Sequence, residues 1–190
     1  MKTKILTVLL LSSFLGFSQE IHEDLPYYEI PEYSDDFTAG TVAGRMVDAL
    51  GFRFYWASHD LKATDLDFKI NEDGRSVSET IDHIYDLSKI IVNSTLKKAN
   101  DRGAKEEMTY VEKRKAILMS LKKASDILKA SDDISEFKII FGEQQIPFWN
   151  QVNGPIADAI WHCGQMATSR RASGNPINPK VNHFTGKVRQ

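Results

Sequence analysis

The amino-acid sequence predicts an all-α protein, a four-helix bundle with long crossover connections. Four stretches carry apolar residues at helical spacing, and capping or helix-breaking residues bound them. No internal repeat and no low-complexity segment interrupts this pattern. The 190 residues suffice for one domain with a substantial core.

The first predicted helix covers residues 36–61 and follows an extended, proline-containing lead-in at residues 19–35. It contains no proline, and its apolar residues recur along one side: Phe37, Val42, Met46, Val47, Leu50, Phe54 and Trp56. Gly40 and Gly44, four residues apart, would let a neighbouring helix approach closely. Residues 65–74 read as a polar connection that ends in an Asp-Gly turn signal.

Capping boxes mark the starts of the second and third helices. Ser76 and Glu79 have this spacing and open a helix that reaches about residue 100. Thr109 and Glu112 repeat the spacing and open a helix that ends near Ser131. The third helix is strongly two-faced, with apolar residues on one side and lysines on a solvated side.

The fourth helix is predicted from Asn153-Gly154-Pro155 to Ser173, because proline is tolerated in a first helical turn. Gly174 is a natural C-terminal cap. The preceding residues 134–151 contain a short apolar run that fits a strand or a helical turn equally well. The tail to residue 190 is expected to be irregular.

The N-terminus has the layout of a secretory signal peptide. Lys2 and Lys4 precede an apolar run, and the small residues Gly16 and Ser18 follow it. The run is too short to span a bilayer, which needs about 20 residues; an uncleaved anchor is the alternative. We therefore predict a signal peptide at residues 1–18, a single domain at 19–190, and an exported protein that is periplasmic or secreted, with no stable membrane span after cleavage.

Charge and cysteine content restrict the function classes. The net charge of −2 becomes −4 without Lys2 and Lys4, so no nucleic-acid-binding footprint is visible. Cys163 is the only cysteine, which excludes an intrachain disulfide. A lone cysteine is more often a small buried apolar residue than a nucleophile.

Asp158 and His162 lie four residues apart on the fourth helix and therefore share one face. Asp158 is the only charged residue between Ile146 and Ser169, which suggests a helix buried on most sides. A carboxylate there needs a partner or a cation. Spacing alone leaves two readings equal: metal ligands, or a buried Asp–His pair with Asp158 favoured by the helix dipole.

His83 lies at the edge of the apolar face of the second helix. A lone histidine there is more often a boundary residue than a ligand. If it met Asp158 and His162 from a facing helix, two histidines and a carboxylate would form a divalent-metal site with open positions. Glu79 is a helical neighbour of His83, but the capping box already accounts for it.

The chain resembles the DinB-like, or YfiT-type, helical-bundle superfamily over most of its length. The resemblance rests on residues 50–56, on residues 75–84 around His83, and on residues 153–165, where Gly164-Gln165 follow His162. It implies a metal site in which His83 and His162 are ligands. Asp158 stands where the family has a third histidine, which implies a changed or a lost metal site.

Two functions follow from these patterns. The first is an exported metal-binding protein in which His83, Asp158 and His162 hold Zn or Ni, with Mn or Fe as alternatives, and which acts as a metal-dependent hydrolase or transferase. The second is a metal-free helical bundle that acts as a binding or structural module. The expected partner is an unidentified small-molecule substrate, with no nucleic acid, and a homodimer is left open.

Overall fold

The structure is a computed structural model that describes residues 25–101, 103 and 107–190. The predicted signal peptide lies outside the described residues. Six α-helices occur in the described part of the chain: α1 (Ala39–Ala57), α2 (Ala63–Leu66), α3 (Val77–Thr95), α4 (Tyr110–Lys129), α5 (Trp149–Gln151) and α6 (Ala157–Ser173). Two antiparallel hairpins complete it, β1 (Ile139–Phe141) with β2 (Gln144–Ile146), and β3 (Val181–Asn182) with β4 (Lys187–Val188).

The four long helices form a bundle, which confirms the predicted fold class. Helix α1 packs against α4 and α6, and α3 packs against the same two helices. The pair α1 and α3 therefore lies on one diagonal of the bundle, and α4 and α6 lie on the other. Residues 58–76 and 130–156 carry the chain across these diagonals, as the predicted long connections require.

Side-chain caps start three of the long helices. Thr38, Ser76 and Thr109 each accept a hydrogen bond from a backbone N–H in the first turn, and each belongs to a capping box. The boxes predicted at Ser76 and Thr109 are thus confirmed. The first helix begins later than predicted, because its cap is Thr38 with Thr41 as the reciprocal partner.

The close contact between α1 and α4 depends on Gly40. A Cβ atom at Gly40 would lie 2.3 Å from the carbonyl oxygen of Leu128 and 2.6 Å from that of Ser131. At Gly44 it would lie 2.6 Å from Cγ of Lys129. The predicted role of these glycines in a close helix approach is therefore confirmed.

Two connections differ from their predictions, and a third, which the sequence left open between a strand and a helical turn, contains both. The ambiguous segment at residues 134–151 forms a 3-10 turn at Ile134–Glu136, the β1–β2 hairpin and α5. The polar connection after α1 contains the short α2. The tail predicted to be irregular forms the β3–β4 hairpin instead. The described part of the lead-in, residues 25–35, packs beside this hairpin, where the Ile30 N–H donates to the carbonyl of Gly186 at 2.9 Å.

The fourth helix starts at a kink in the chain. Gly154, with φ −97° and ψ −110°, is not helical, and Pro155 follows it at the beginning of the helical path that leads into α6. The predicted start at Asn153-Gly154-Pro155 agrees with this kink, although the short helix α5 comes before it.

The core lies between the four long helices. Its largest fully buried side chains are Phe52, Phe54, Leu50, Ile81, Ile84, Ile91, Ile117, Leu118, Leu121, Leu128, Ile156 and Met166. Among the described residues, no helix combines the length and the apolar character that a membrane crossing requires.

Candidate metal centre

Helix α3 places His83 at the boundary between core and solvent. Its neighbours Ile84 and Leu87 are buried and hold the helix against α4 and α6. The His83 side chain stays 32% exposed. This position agrees with its predicted place at the edge of the apolar face.

Helix α6 contributes Asp158 and His162 from one face, one turn apart, as the spacing predicted. The His162 side chain is 10% exposed and that of Asp158 is 43% exposed. The prediction that this charge-poor helix is buried on most sides is wrong. Its outer face is open to solvent, and the Trp161 side chain there is 72% exposed. Uncharged residues form part of the surface here as well as part of the core.

The three predicted ligands meet between α3 and α6. His83 Nε2 lies 3.1 Å from Asp158 Oδ2, and His162 Nε2 lies 3.4 Å from Asp158 Oδ1. The two imidazole rings are 4.7 Å apart and nearly perpendicular, at 87°. Residues separated by 75 positions in the chain therefore present three potential ligands to one point.

The three side chains are close enough to hold a metal ion. Each residue offers one ligand atom, and these atoms all lie within 4.8 Å of one another. Two atoms bound to a tetrahedral ion at about 2.0–2.2 Å are roughly 3.3–3.6 Å apart, so an ion would draw the three ligand atoms closer together. Two imidazole nitrogens and a carboxylate oxygen form a donor set that suits zinc, nickel, manganese or iron.

A fourth residue, which also lies on α6, contacts the site. Gln165 Oε1 lies 2.7 Å from His162 Nδ1. The opposite ring nitrogen of His162, Nε2, is the one that faces Asp158. The sequence reasoning gave Gln165 no role; its spacing of three residues from His162 was the available signal, since such residues are neighbours on a helix.

Other candidates lie outside the cluster. Glu79 accepts a hydrogen bond from the backbone N–H of Ser76 and pairs with Lys69. Its predicted place in the capping box is therefore confirmed. Cys163 is fully buried, and this burial raises the pKa of its thiol to about 12. Another histidine, His59, lies just after the end of α1 and pairs with Asp60.

Comparison with family models, with curated proteins and with solved structures found no match to the chain. The resemblance to the DinB-like superfamily therefore stays a prediction. The structure shows its coarser content, a mainly helical domain with four long packed helices and a His83-Asp158-His162 group that could hold a metal ion.

Proposed function

We propose that the protein is exported and binds one divalent metal ion, Zn²⁺ or Ni²⁺ in the first instance, through His83, Asp158 and His162. We further propose that it acts as a metal-dependent hydrolase or transferase on a small molecule. The observation that carries the proposal is the convergence of three ligand atoms, from two facing helices, within 4.8 Å.

The accessibility of the cluster supports a reactive rather than a purely structural site. Structural zinc sites use four protein ligands, whereas catalytic sites use three and keep a position open. Among the described residues, this group offers three, and Asp158 and His83 are partly exposed on the side that solvent reaches. A small molecule could therefore reach the ligands without a rearrangement of the bundle.

The chemistry would come from the bound ion. A bound divalent ion would polarise a substrate oxygen and lower the pKa of a coordinated water toward neutrality. The protein would fix the ion's open side and orient the substrate there. Cys163 is not a candidate nucleophile, because its buried thiol with a pKa of about 12 stays protonated.

The second candidate function is a metal-free binding or structural module. The contacts of Asp158 with His83 and His162 favour it, since a carboxylate between two imidazoles also satisfies hydrogen bonds without an ion. Metal content separates the two functions.

The test is the metal content, by mass spectrometry, of purified protein after reconstitution with Zn²⁺. We expect one equivalent in the natural protein and a loss of it in His83→Ala. His183→Ala is the matched control, because His183 lies on the exposed β3–β4 turn. Asp158→His, which restores the histidine of the resembling family, is expected to keep the metal.

Two outcomes would contradict the proposal. Stoichiometric metal that persists in His83→Ala would exclude the three-ligand site. Absence of metal from the reconstituted natural protein would leave the metal-free module as the function.

A further inference from the structure

The His162 ring has a hydrogen-bond acceptor on each side. Its Nδ1 lies 2.7 Å from the amide oxygen of Gln165, and its Nε2 lies 3.4 Å from a carboxylate oxygen of Asp158. An ionised carboxylate and an amide oxygen are both acceptors, and a neutral imidazole has only one N–H to donate. One of these two contacts therefore lacks a proton.

The distances indicate which contact has the proton. A separation of 2.7 Å lies at the short end of the range for an N–H···O hydrogen bond, whereas 3.4 Å lies beyond it. The Gln165 contact also spans one turn of the same helix, so it needs no movement between helices to form. The geometry favours the proton on Nδ1 and a bare lone pair on Nε2.

We propose that Gln165 is a positioning residue that holds His162 in the Nδ1–H form, so that Nε2 presents its lone pair toward His83 and Asp158. This inference rests on the proposed metal site and adds to it a residue that orients one of the three ligands. Ligating histidines in proteins are commonly fixed in this way, with the second ring nitrogen donating to an oxygen acceptor. The acceptor here is a neutral amide, which adds no charge to the site.

Without Gln165, the ring would have a different preference. Neutral imidazole in water favours the Nε2–H form, and that form would donate to Asp158. The proton would then occupy the atom that is needed as a ligand, and metal binding would have to displace it. Loss of the acceptor should therefore weaken metal binding although Gln165 touches no metal position itself.

The test compares Gln165→Met, which keeps the length of the side chain but removes the acceptor, with Gln165→Glu, which keeps an acceptor oxygen. Gln144→Met, on the exposed strand β2, is the matched control for the glutamine-to-methionine change. Because Gln165 is itself exposed, the variants should fold, and circular dichroism checks that they do.

The first readout is the protonation of the His162 ring nitrogens in metal-free, ¹⁵N-labelled protein, from two-bond ¹H–¹⁵N correlations at a pH of about 8.5, above the ordinary imidazole value of about 6.5. A His162→Ala spectrum assigns the signals. We expect Nδ1–H in the natural protein, in Gln165→Glu and in Gln144→Met, and a shift toward Nε2–H in Gln165→Met.

The second readout is Zn²⁺ affinity in competition with a chromophoric chelator. We expect a loss of about 10–100-fold in Gln165→Met, the usual effect of losing such a partner, and natural affinity in the control. The inference would be overturned if His162 carried its proton on Nε2 in the natural protein. It would also be overturned if the protonation of the His162 ring were the same in Gln165→Met as in the natural protein. A natural protein that binds no Zn²⁺ would overturn the proposed function, and the metal-free spectra would still decide the role of Gln165.

Discussion

Asp48 and Asp158 show how differently one residue type is used in this protein. Asp48 is fully buried between α1 and α4, where the hydroxyl of Ser125 donates to its Oδ1 at 2.6 Å and the ammonium of Lys129 faces its Oδ2. Two side chains of α4 thus satisfy its charge. Asp158 stays 43% exposed and contacts His83 and His162, an arrangement that could hold a metal ion.

Asp48→Ala should lower the free energy of unfolding by about 3–5 kcal/mol, because it leaves Lys129 without its partner in a largely buried place. Urea denaturation measures the change. Asp126→Ala is the control, since the Asp126–Lys122 pair is exposed and should contribute no more than about 0.5 kcal/mol. If both substitutions lowered the free energy of unfolding equally, the buried position of Asp48 would add nothing to the strength of its ion pair.

The three members of the candidate site could be named from the sequence, but their surroundings could not. The spacing of Asp158 and His162 and the resemblance at His83 indicate three residues that the structure brings together. Spacing does not say which ring nitrogen meets which oxygen, so the contact of Gln165 with His162 Nδ1 is not predicted. The absence of charge on α6 predicts a helix buried on most sides, but uncharged residues also form its outer face, where Trp161 is exposed.

At the scale of the elements, the contact of α1 with α4 is set by backbone atoms rather than by side chains. Gly40 lies against two carbonyl oxygens at the end of α4, and neither can move without disturbing the helix. Gly164, in the middle of α6, has nothing within 4 Å of the place where a Cβ would stand. Close packing therefore requires a glycine at position 40, whereas no contact within the described chain requires one at position 164.

Gly40→Ala should destabilise the protein by about 1–3 kcal/mol, the typical cost of inserting a methyl group into a tightly packed contact. Gly164→Ala should instead stabilise it by about 0.5–1 kcal/mol, because alanine favours the helix and meets open space. Thermal or urea unfolding of the two variants gives the comparison. Opposite signs are expected, and a destabilised Gly164→Ala would contradict the reading of open space.

Helix starts were more predictable than the connections. Ser76 and Thr109 signal their helices because a capping box is a local arrangement of a few residues. The β1–β2 hairpin was not decidable, since a short apolar run fits a strand and a helical turn alike. Pro155 indicates a helix start, and the chain is kinked just before it, at Gly154, but the pattern does not predict that the short helix α5 precedes this kink.

At the scale of the whole molecule, a buried polar network joins one end of the bundle. Arg170, on α6, donates to the carbonyl of Trp56 at the end of α1 and to that of Asn175, both at 2.8 Å. The Asn175 amide donates to Asp65 of α2 at 2.7 Å, and the hydroxyl of Ser173 donates to the same carboxylate at 2.8 Å. Three helices are thus held together by residues that no local pattern connects.

This network predicts an acid-dependent loss of stability. Burial acts to raise the pKa of Asp65, but hydrogen bonds from the Lys62 backbone, Asn175 and Ser173 outweigh it and lower the pKa below its ordinary value. A lowered folded-state pKa stabilises the fold above the unfolded value of about 3.9, and this stabilisation is lost as the pH falls through the folded-state pKa.

Urea unfolding between about pH 2 and pH 5 measures this loss. In Asp65→Asn the slope of the unfolding free energy with pH should be smaller than in the natural protein. Asp67→Asn, two residues further on and exposed, is the matched control. An unchanged slope in Asp65→Asn would show that this carboxylate is not part of the acid response.

The seam between the lead-in and β4 has a consequence for the order in which the molecule is assembled. Val188 N–H donates to the carboxylate of Glu29 at 2.8 Å, and Lys187 pairs with Glu29 and Glu32. Closing a flexible loop of the 159 residues that separate Glu29 from Val188 would cost about 4–5 kcal/mol of chain entropy. The bundle must therefore shorten this loop before the seam forms. Since synthesis runs from the N-terminus, Glu29 is made 159 residues before Val188, so these contacts form only after the helices between them have been synthesised.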